Sequence, residues 1–298
     1  MNLSLFVQQQ HTICDFSSSD SWVILSPIEQ SIKRKIEAVG TPLKDWDIQI
    51  NYGIKTGFND AFIISTERRD EILSNCLTEE ERERTAELIR PILRGRDIKR
   101  YGYNWADLWL IATFPSRHYN IEEYPAVKAH LLSYRKERLE QTGKKYIIGG
   151  EEIKARKKTN NKWYETQDSI SYWEDFSKPK IVWGNLNLTA SYALVNDEYF
   201  INAPSPMIVP ASRYLLAVLN SKLADYYIRN LGVTRNGGYF EYKPMFIEKL
   251  PVPIINCNDE IYRKIDEMLE FTNCIGVDHL IYQIYGLSID EINYIESL

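Results

Sequence analysis

The chain has 298 residues, 44% of them hydrophobic and 12% aromatic, enough to bury one large core or two modest ones with no compositional bias toward disorder. Its net charge of −5 is mild, its four cysteines (Cys14, Cys76, Cys257, Cys274) include no C-x-x-C pair, and no run reaches the ~18 apolar residues of a membrane span. Together with an N-terminus, Met1–Phe6, that lacks a basic start to a long apolar stretch, this argues against a disulfide framework, a zinc knuckle and a membrane protein, and predicts a cytoplasmic protein with reduced thiols.

In chain order, Ser26-Pro27-Ile28-Glu29 is a capping box with proline at the first helical position. Ile28, Ile32 and Ile36 follow at a spacing of four, and Gly40 ends a short amphipathic helix. A strand over Asp47–Tyr52 leads into a polar glycine loop, Gly53–Phe62, and a second strand-like run covers Ala61–Ser65. Thr78-Glu79-Glu80-Glu81 starts a charged helix that Pro91 stops, Leu108–Thr113 reads as a strand, and a longer helix runs from about Ala126 to Gln141, before Gly143. Strand-like runs follow at Lys180–Trp183, Tyr192–Val195 and Pro206–Val209. A helix then runs from about Ser212 to Asn230 with Leu219 and Leu223 buried, and Ser288-Ile289-Asp290-Glu291 starts a last one. Short aromatic and β-branched strands mixed irregularly with helices predict an α+β fold, a β-rich module with supporting helices and a C-terminal helical tail. The expected organisation is a connector with the capped helix over 1–45, the module over 46–257 and an acidic helical tail over 258–298.

Charge is distributed unevenly. Residues 259–298 hold nine acids against two bases, a net of −7, which leaves +2 for residues 1–258. Residues 90–100 stand at +4 and residues 144–162 at +5, so a basic middle precedes an acidic end, as a surface facing a polyanion would require.

The order of short motifs carries more. Trp22-Val23-Ile24-Leu25, the capped helix, Gly40–Trp46, the Gly53–Phe62 loop and Arg94-Gly95-Arg96-Asp97-Ile98-Lys99-Arg100-Tyr101 are followed by Lys162-Trp163-Tyr164, Pro179–Trp183 and Leu219–Leu223 with Tyr226-Tyr227. Gly237–Pro244, Ile247–Pro253 and Ile284–Ile292 complete the series. In this order the motifs resemble the TaqI-like C-terminal specificity domain, the target-recognition part of adenine-specific DNA methyltransferases and of fused type IIG restriction-modification enzymes. The resemblance implies a double-stranded DNA partner and a methyltransferase domain or subunit that the recognition domain directs to its target adenine. It also implies a bacterial restriction-modification system and no membrane.

The catalytic half of such an enzyme is not in the sequence. An adenine-N6 methyltransferase needs a glycine-rich loop for S-adenosylmethionine and an Asp/Asn-Pro-Pro-Phe/Tyr motif for the flipped base. The nearest string, Asn202-Ala203-Pro204-Ser205-Pro206, lacks the adjacent prolines and the aromatic and reads as a loop before a strand. No catalytic residue, metal site or cofactor is therefore expected on this chain, and S-adenosylmethionine belongs to the missing catalytic domain.

The expected DNA contacts fall in three groups. In the first loop, Lys55 and Thr56 would lie near phosphates and Asn59 would offer an amide to a base edge. Arg94, Arg96, Lys99 and Arg100 would position the backbone, with Asp97 a candidate partner for one of them, and Lys154, Arg156, Lys157 and Lys158 would neutralise further phosphates. Arg235 and Asn236, on the glycine turn Thr234–Tyr239, have the side chains that grip guanine and adenine and are the expected base readers. Trp163, Tyr164 and Trp183 are expected in the core. Two other classes compete: a protein-interaction module working through the acidic tail, and a metal-dependent nuclease around Glu152-Ile153-Lys154. The histidines His11, His118, His130 and His279 have no partners at ligand spacing.

Overall fold

Lys180–Trp183, Tyr192–Val195 and Pro206–Val209 are apolar at nearly every position, so a sheet built from them has two faces to cover. The computed structural model, which describes residues 25–232, 234–271 and 274–298, shows that arrangement. Trp22, Val23, Ile24, Cys14 and His11 lie outside the described residues. The central sheet runs Tyr192–Val195, Lys180–Trp183, Pro206–Val209, Gln49–Tyr52, antiparallel throughout, with Ile181 opposite both Leu194 and Ile208. Side chains alternate with the period of two that a strand imposes. Ile181, Trp183, Tyr192 and Ile208 enter one core, while Val182, Ala193, Val195 and Met207 enter the other.

Helices cover the first face. Pro27–Val39, Arg213–Leu219, Lys222–Leu231, Glu260–Glu270, Val277–Ile284 and Ile289–Glu296 all contribute to its core. A second four-stranded sheet covers the other face. It runs Phe200–Ile201, Ile89–Leu93, Leu108–Ile111, Ile63–Ser65, with its first pair parallel and the rest antiparallel, and is flanked by helices Thr66–Ser74, Glu79–Leu88 and Pro125–Leu132. The fold is α+β, and no helix among the described residues is long and apolar enough to cross a membrane.

Caps predicted from the sequence form. Ser26 and Glu29 make the reciprocal capping box, and Thr78 and Ser288 cap their helices. Long helices divide where local hydrogen bonding competes with the ladder. Ser221 accepts from the Ala224 N–H and begins a new helix, while the Asn220 side chain bonds both the N–H and the C=O of Tyr192, so the expected 212–230 helix is two. Leu219 and Leu223 stay buried on either side of the break. The expected 126–141 helix divides at Arg135, whose φ is 67°, into Pro125–Leu132 and Lys136–Leu139. The charged helix ends at Leu88, and Pro91 sits inside the next strand instead of stopping the helix itself.

The acidic tail is held by ion pairs to the rest of the fold: Asp278 to Arg100, Asp266 to Arg213, Glu296 to Lys222 and Glu291 to Lys35. Glu291 Oε2 accepts from Lys35 Nζ at 2.6 Å and from the Ser288 N–H at 2.7 Å, and its Oε1 accepts from Ser31 Oγ at 2.7 Å. Burial alone would raise this carboxyl, but the bonds from Lys35, Ser288 and Ser31 outweigh it and hold its pKa at about 2. A depressed carboxylate contributes stability above its unfolded pKa and loses it as pH falls toward the folded value. Glu291→Gln is therefore expected to cost about 2 kcal/mol at pH 7, with the difference from wild type shrinking between about pH 4.5 and pH 2 in denaturant titrations.

Candidate nucleic-acid interface

Two clefts adjoin on one side of the molecule. One, of about 870 Å³, is lined by Tyr52, Gly53, Lys55, Asn161, Gln167, Asp168 and Tyr172. The second, of about 820 Å³, is lined by Asn59, Arg94, Arg96 and Lys99 together with the segment Gly184–Thr189 and Tyr239. Ala203 and Pro204 line both, so the loop Asn202–Ser205, which precedes the strand Pro206–Val209, is the ridge between them.

The glycine loop is built by close approach. The Gly53 N–H donates to the Ser205 carbonyl at 2.7 Å, and a Cβ on Gly53 would lie 2.5 Å from the Ile201 carbonyl oxygen. Gly57 has a φ of 79°, which a side chain would strain. Gly53→Ala is expected to push the loop off the ridge and cost about 2 kcal/mol, as thermal unfolding would show. Lys55 is exposed on the first cleft.

Thr56 does not reach solvent. It is fully buried, donates to Asn59 Oδ1 at 2.6 Å and accepts from the Phe58 N–H, so its hydroxyl orients Asn59 and is not a phosphate contact. Asn59 itself is exposed at the rim of the second cleft.

Arg156 is the larger correction. Only 4% exposed, it donates through Nε to the Leu139 carbonyl, through Nη1 to the carbonyls of Thr56 and Glu165, and through Nη2 to that of Trp163, all at 2.7–2.8 Å. Burial pushes its pKa down to about 10, against a small opposing pull from Glu165. It is a tie between three chain segments and cannot neutralise a phosphate. Its neighbours Lys154, Lys157 and Lys158 are exposed, but Lys154 lies in a separate cleft with Arg135, Arg138, Glu151 and Glu152.

The Arg94–Arg100 run divides by role. Arg94 grips Asp97 bidentately, Nε to Oδ2 at 3.0 Å and Nη2 to Oδ1 at 2.8 Å, which shapes the turn. Arg96 and Lys99 are exposed on the second cleft. Arg100 turns away to the Asn220 carbonyl and to Asp278, so its charge serves the tail and not this surface.

Arg235 is engaged as well. Its Nε donates to Glu241 Oε1 at 2.7 Å, and Lys243 pairs with the other oxygen. The bonds from Lys243 and then Arg235 lower the Glu241 pKa. Asn236 is exposed on the turn beside it, and Tyr239 is the residue of this turn that lines the cleft. The antiparallel pairing of Leu186–Asn187 with Phe240–Glu241 brings the turn next to the Gly184–Thr189 segment.

Several lining residues belong to no motif of the sequence: Gln167, Tyr172, Asn185 and Asn187. The only sequence signal near them is the polar-apolar alternation Asn185-Leu186-Asn187-Leu188-Thr189 after a fully buried strand.

Other candidates resolve as structural. Glu152 is an exposed hairpin residue paired with Lys145, and among the described residues no group of three or more His, Cys, Asp or Glu could hold a metal ion. His130 is buried with Nε2 3.0 Å from the Ala61 carbonyl oxygen. Trp183 and Tyr164 are buried, as expected, and Trp163 packs at the edge of the second core.

The chain is 20% identical over 284 residues to the type II methyltransferase M.PaeR7I of Pseudomonas aeruginosa, covering 92% of this chain and 44% of that protein. It therefore spans less than half the length of that relative. Its fold is similar to the type IIG restriction endonuclease BpuSI, with a TM-score of 0.57 at 12% identity, covering 91% of this chain and 31% of that one. It is also similar to the type IIL restriction-modification enzyme MmeI, whose structure is a complex with DNA, with a TM-score of 0.54 at 14% identity over 86% of this chain and 36% of that one. The sequence pattern of the TaqI-like C-terminal specificity domain matches residues 90–252, more than half of the chain. The chain belongs to the family of TaqI-like C-terminal specificity domains.

Proposed function

We propose that this chain grips double-stranded DNA along the two adjoining clefts and reads a short sequence that contains the target adenine. In doing so it would direct an adenine-N6 methyltransferase, on the same polypeptide or on a partner subunit, to that base. S-adenosylmethionine and the chemistry belong to that catalytic part, with or without an endonuclease attached, and the setting is the bacterial cytoplasm. The observation that carries the reading is convergence: Lys55, Asn59, Arg96, Lys99, Asn185, Asn187 and Tyr239, spread along the sequence, line two clefts that share one ridge. Exposed lysine and arginine supply the phosphate contacts that position a protein on a duplex, and asparagine amides supply base-edge bonds. Membership of a family of specificity domains supports the same reading.

The test is a titration of the chain against a randomised duplex pool at low and moderate salt, with the retained sequences read out. Enrichment of a short adenine-containing motif, with affinity falling steeply as salt rises, is the expected result. Failure to retain any duplex at low salt would overturn the reading for this chain.

A further inference from the structure

Resting on the DNA-binding reading, one feature of the second cleft is out of keeping with a surface that only touches phosphates and base edges. Leu186 and Leu188 are 48% and 53% exposed, with Tyr239 beside them at 40%, and all three line the cleft that holds Arg96 and Lys99. A single exposed leucine is ordinary. Two at alternate positions form an apolar patch in a cleft where the exposed Arg96 and Lys99 outweigh the single acid Asp60 and favour an anionic partner.

The segment that carries them is pinned rather than loose. The Tyr242 N–H donates to the Asn185 carbonyl at 2.9 Å, Arg229 Nη2 donates to the Leu188 carbonyl at 2.6 Å, and Asn187 Nδ2 bonds back to the Gly184 carbonyl at 2.9 Å. Leu186 and Asn187 are further paired with Glu241 and Phe240. These bonds hold the backbone, so the leucines are presented to the cleft without a further backbone ordering cost.

Within a duplex the only large apolar surfaces are the faces of the stacked bases. We propose that Leu186 and Leu188 act as a wedge that enters the base stack of the bound DNA and partly unstacks one step, while Arg96 and Lys99 hold the flanking phosphates. The wedge would fill space left when a base leaves the stack and so lower the cost of extruding it.

A wedge favours DNA that is already unstacked. The intact 298-residue chain would be titrated against duplexes of roughly 25 base pairs, either fully paired or with one base removed to leave an abasic site, the site moved along the sequence between duplexes. Wild type is expected to bind the best abasic duplex about tenfold more tightly than the paired one, about 1.4 kcal/mol. Leu186→Ser/Leu188→Ser is expected to abolish that preference and leave the salt slope unchanged, because the phosphate contacts remain. Leu186→Met/Leu188→Met, which keeps the apolar volume, is expected to retain it.

A wild type with no preference at any position, or a serine variant that keeps it, would overturn the wedge while leaving DNA recognition standing. Absence of any duplex binding by wild type at low salt would overturn both.

Discussion

Replacing Arg156 with methionine is expected to destabilise the protein by about 4 kcal/mol, because it strands four carbonyls that are now bonded to one guanidinium. Methionine fills much of the volume, so the loss isolates the hydrogen bonds. At roughly 2–4 °C per kcal/mol for a domain of this size or slightly smaller, the midpoint of thermal unfolding should fall by about 10 °C. Arg156→Lys is expected to recover less than half of the loss. An ammonium has three donors and no planar fork, whereas the carbonyls of Leu139, Thr56, Glu165 and Trp163 surround a guanidinium on several edges. The variant should also bind DNA more weakly, since Arg156 holds the Thr56 carbonyl beside Lys55 and Asn59. Retention of wild-type stability in Arg156→Met would show that the four carbonyls find water or other donors at little cost.

Charge reversal at Arg96 and Lys99 together is expected to reduce affinity for any duplex about a hundredfold at 0.1 M salt and to make the salt dependence shallower by about two units. Both side chains are exposed on the second cleft, so neither substitution removes a buried contact, and stability should change by less than about 0.5 kcal/mol. The loss should be nearly uniform across sequences, because a phosphate contact carries no base information. The matched control is Arg100→Glu. Arg100 belongs to the same basic run but is committed to the Asn220 carbonyl and Asp278, so this variant should lose stability and keep its affinity within about twofold. A loss of about tenfold in Arg100→Glu, in proportion to its half-as-large change in charge, would show that net charge, rather than the cleft, attracts the DNA.

The contrast between Arg96 and Arg100, four residues apart, shows how far the sequence could be read. Capping residues act over a few positions, so Ser26, Thr78 and Ser288 were legible as helix starts. Strand period and β-branched content are equally local, and Lys180–Trp183, Tyr192–Val195 and Pro206–Val209 form with the predicted bounds. The ordered motifs were enough to suggest the family. Helix continuity was less legible, because the Asn220 side chain leaves its helix to satisfy Tyr192, a partner 28 positions away.

Which charges serve the surface was legible only in part: Lys55, Arg96 and Lys99 are exposed on the clefts, but Arg156 is not. Lys180 stands on the central strand with no exposure and donates to the carbonyls of Phe176 and Asp197. Burial pushes its pKa down to about 8, a result no property of the residue foretells. By itself the sequence determined the local elements, the α+β class and the family, because these follow from propensities, periods and motif order within short windows. Tertiary structure alone decided that Arg96, Lys99, Asn185 and Tyr239 share a cleft, while Arg156 is spent inside the fold and Arg100 on holding the tail. The physical reason is that a cation's role depends on which carbonyls and carboxylates the folded chain brings within about 3 Å of it, and those partners are distant in sequence.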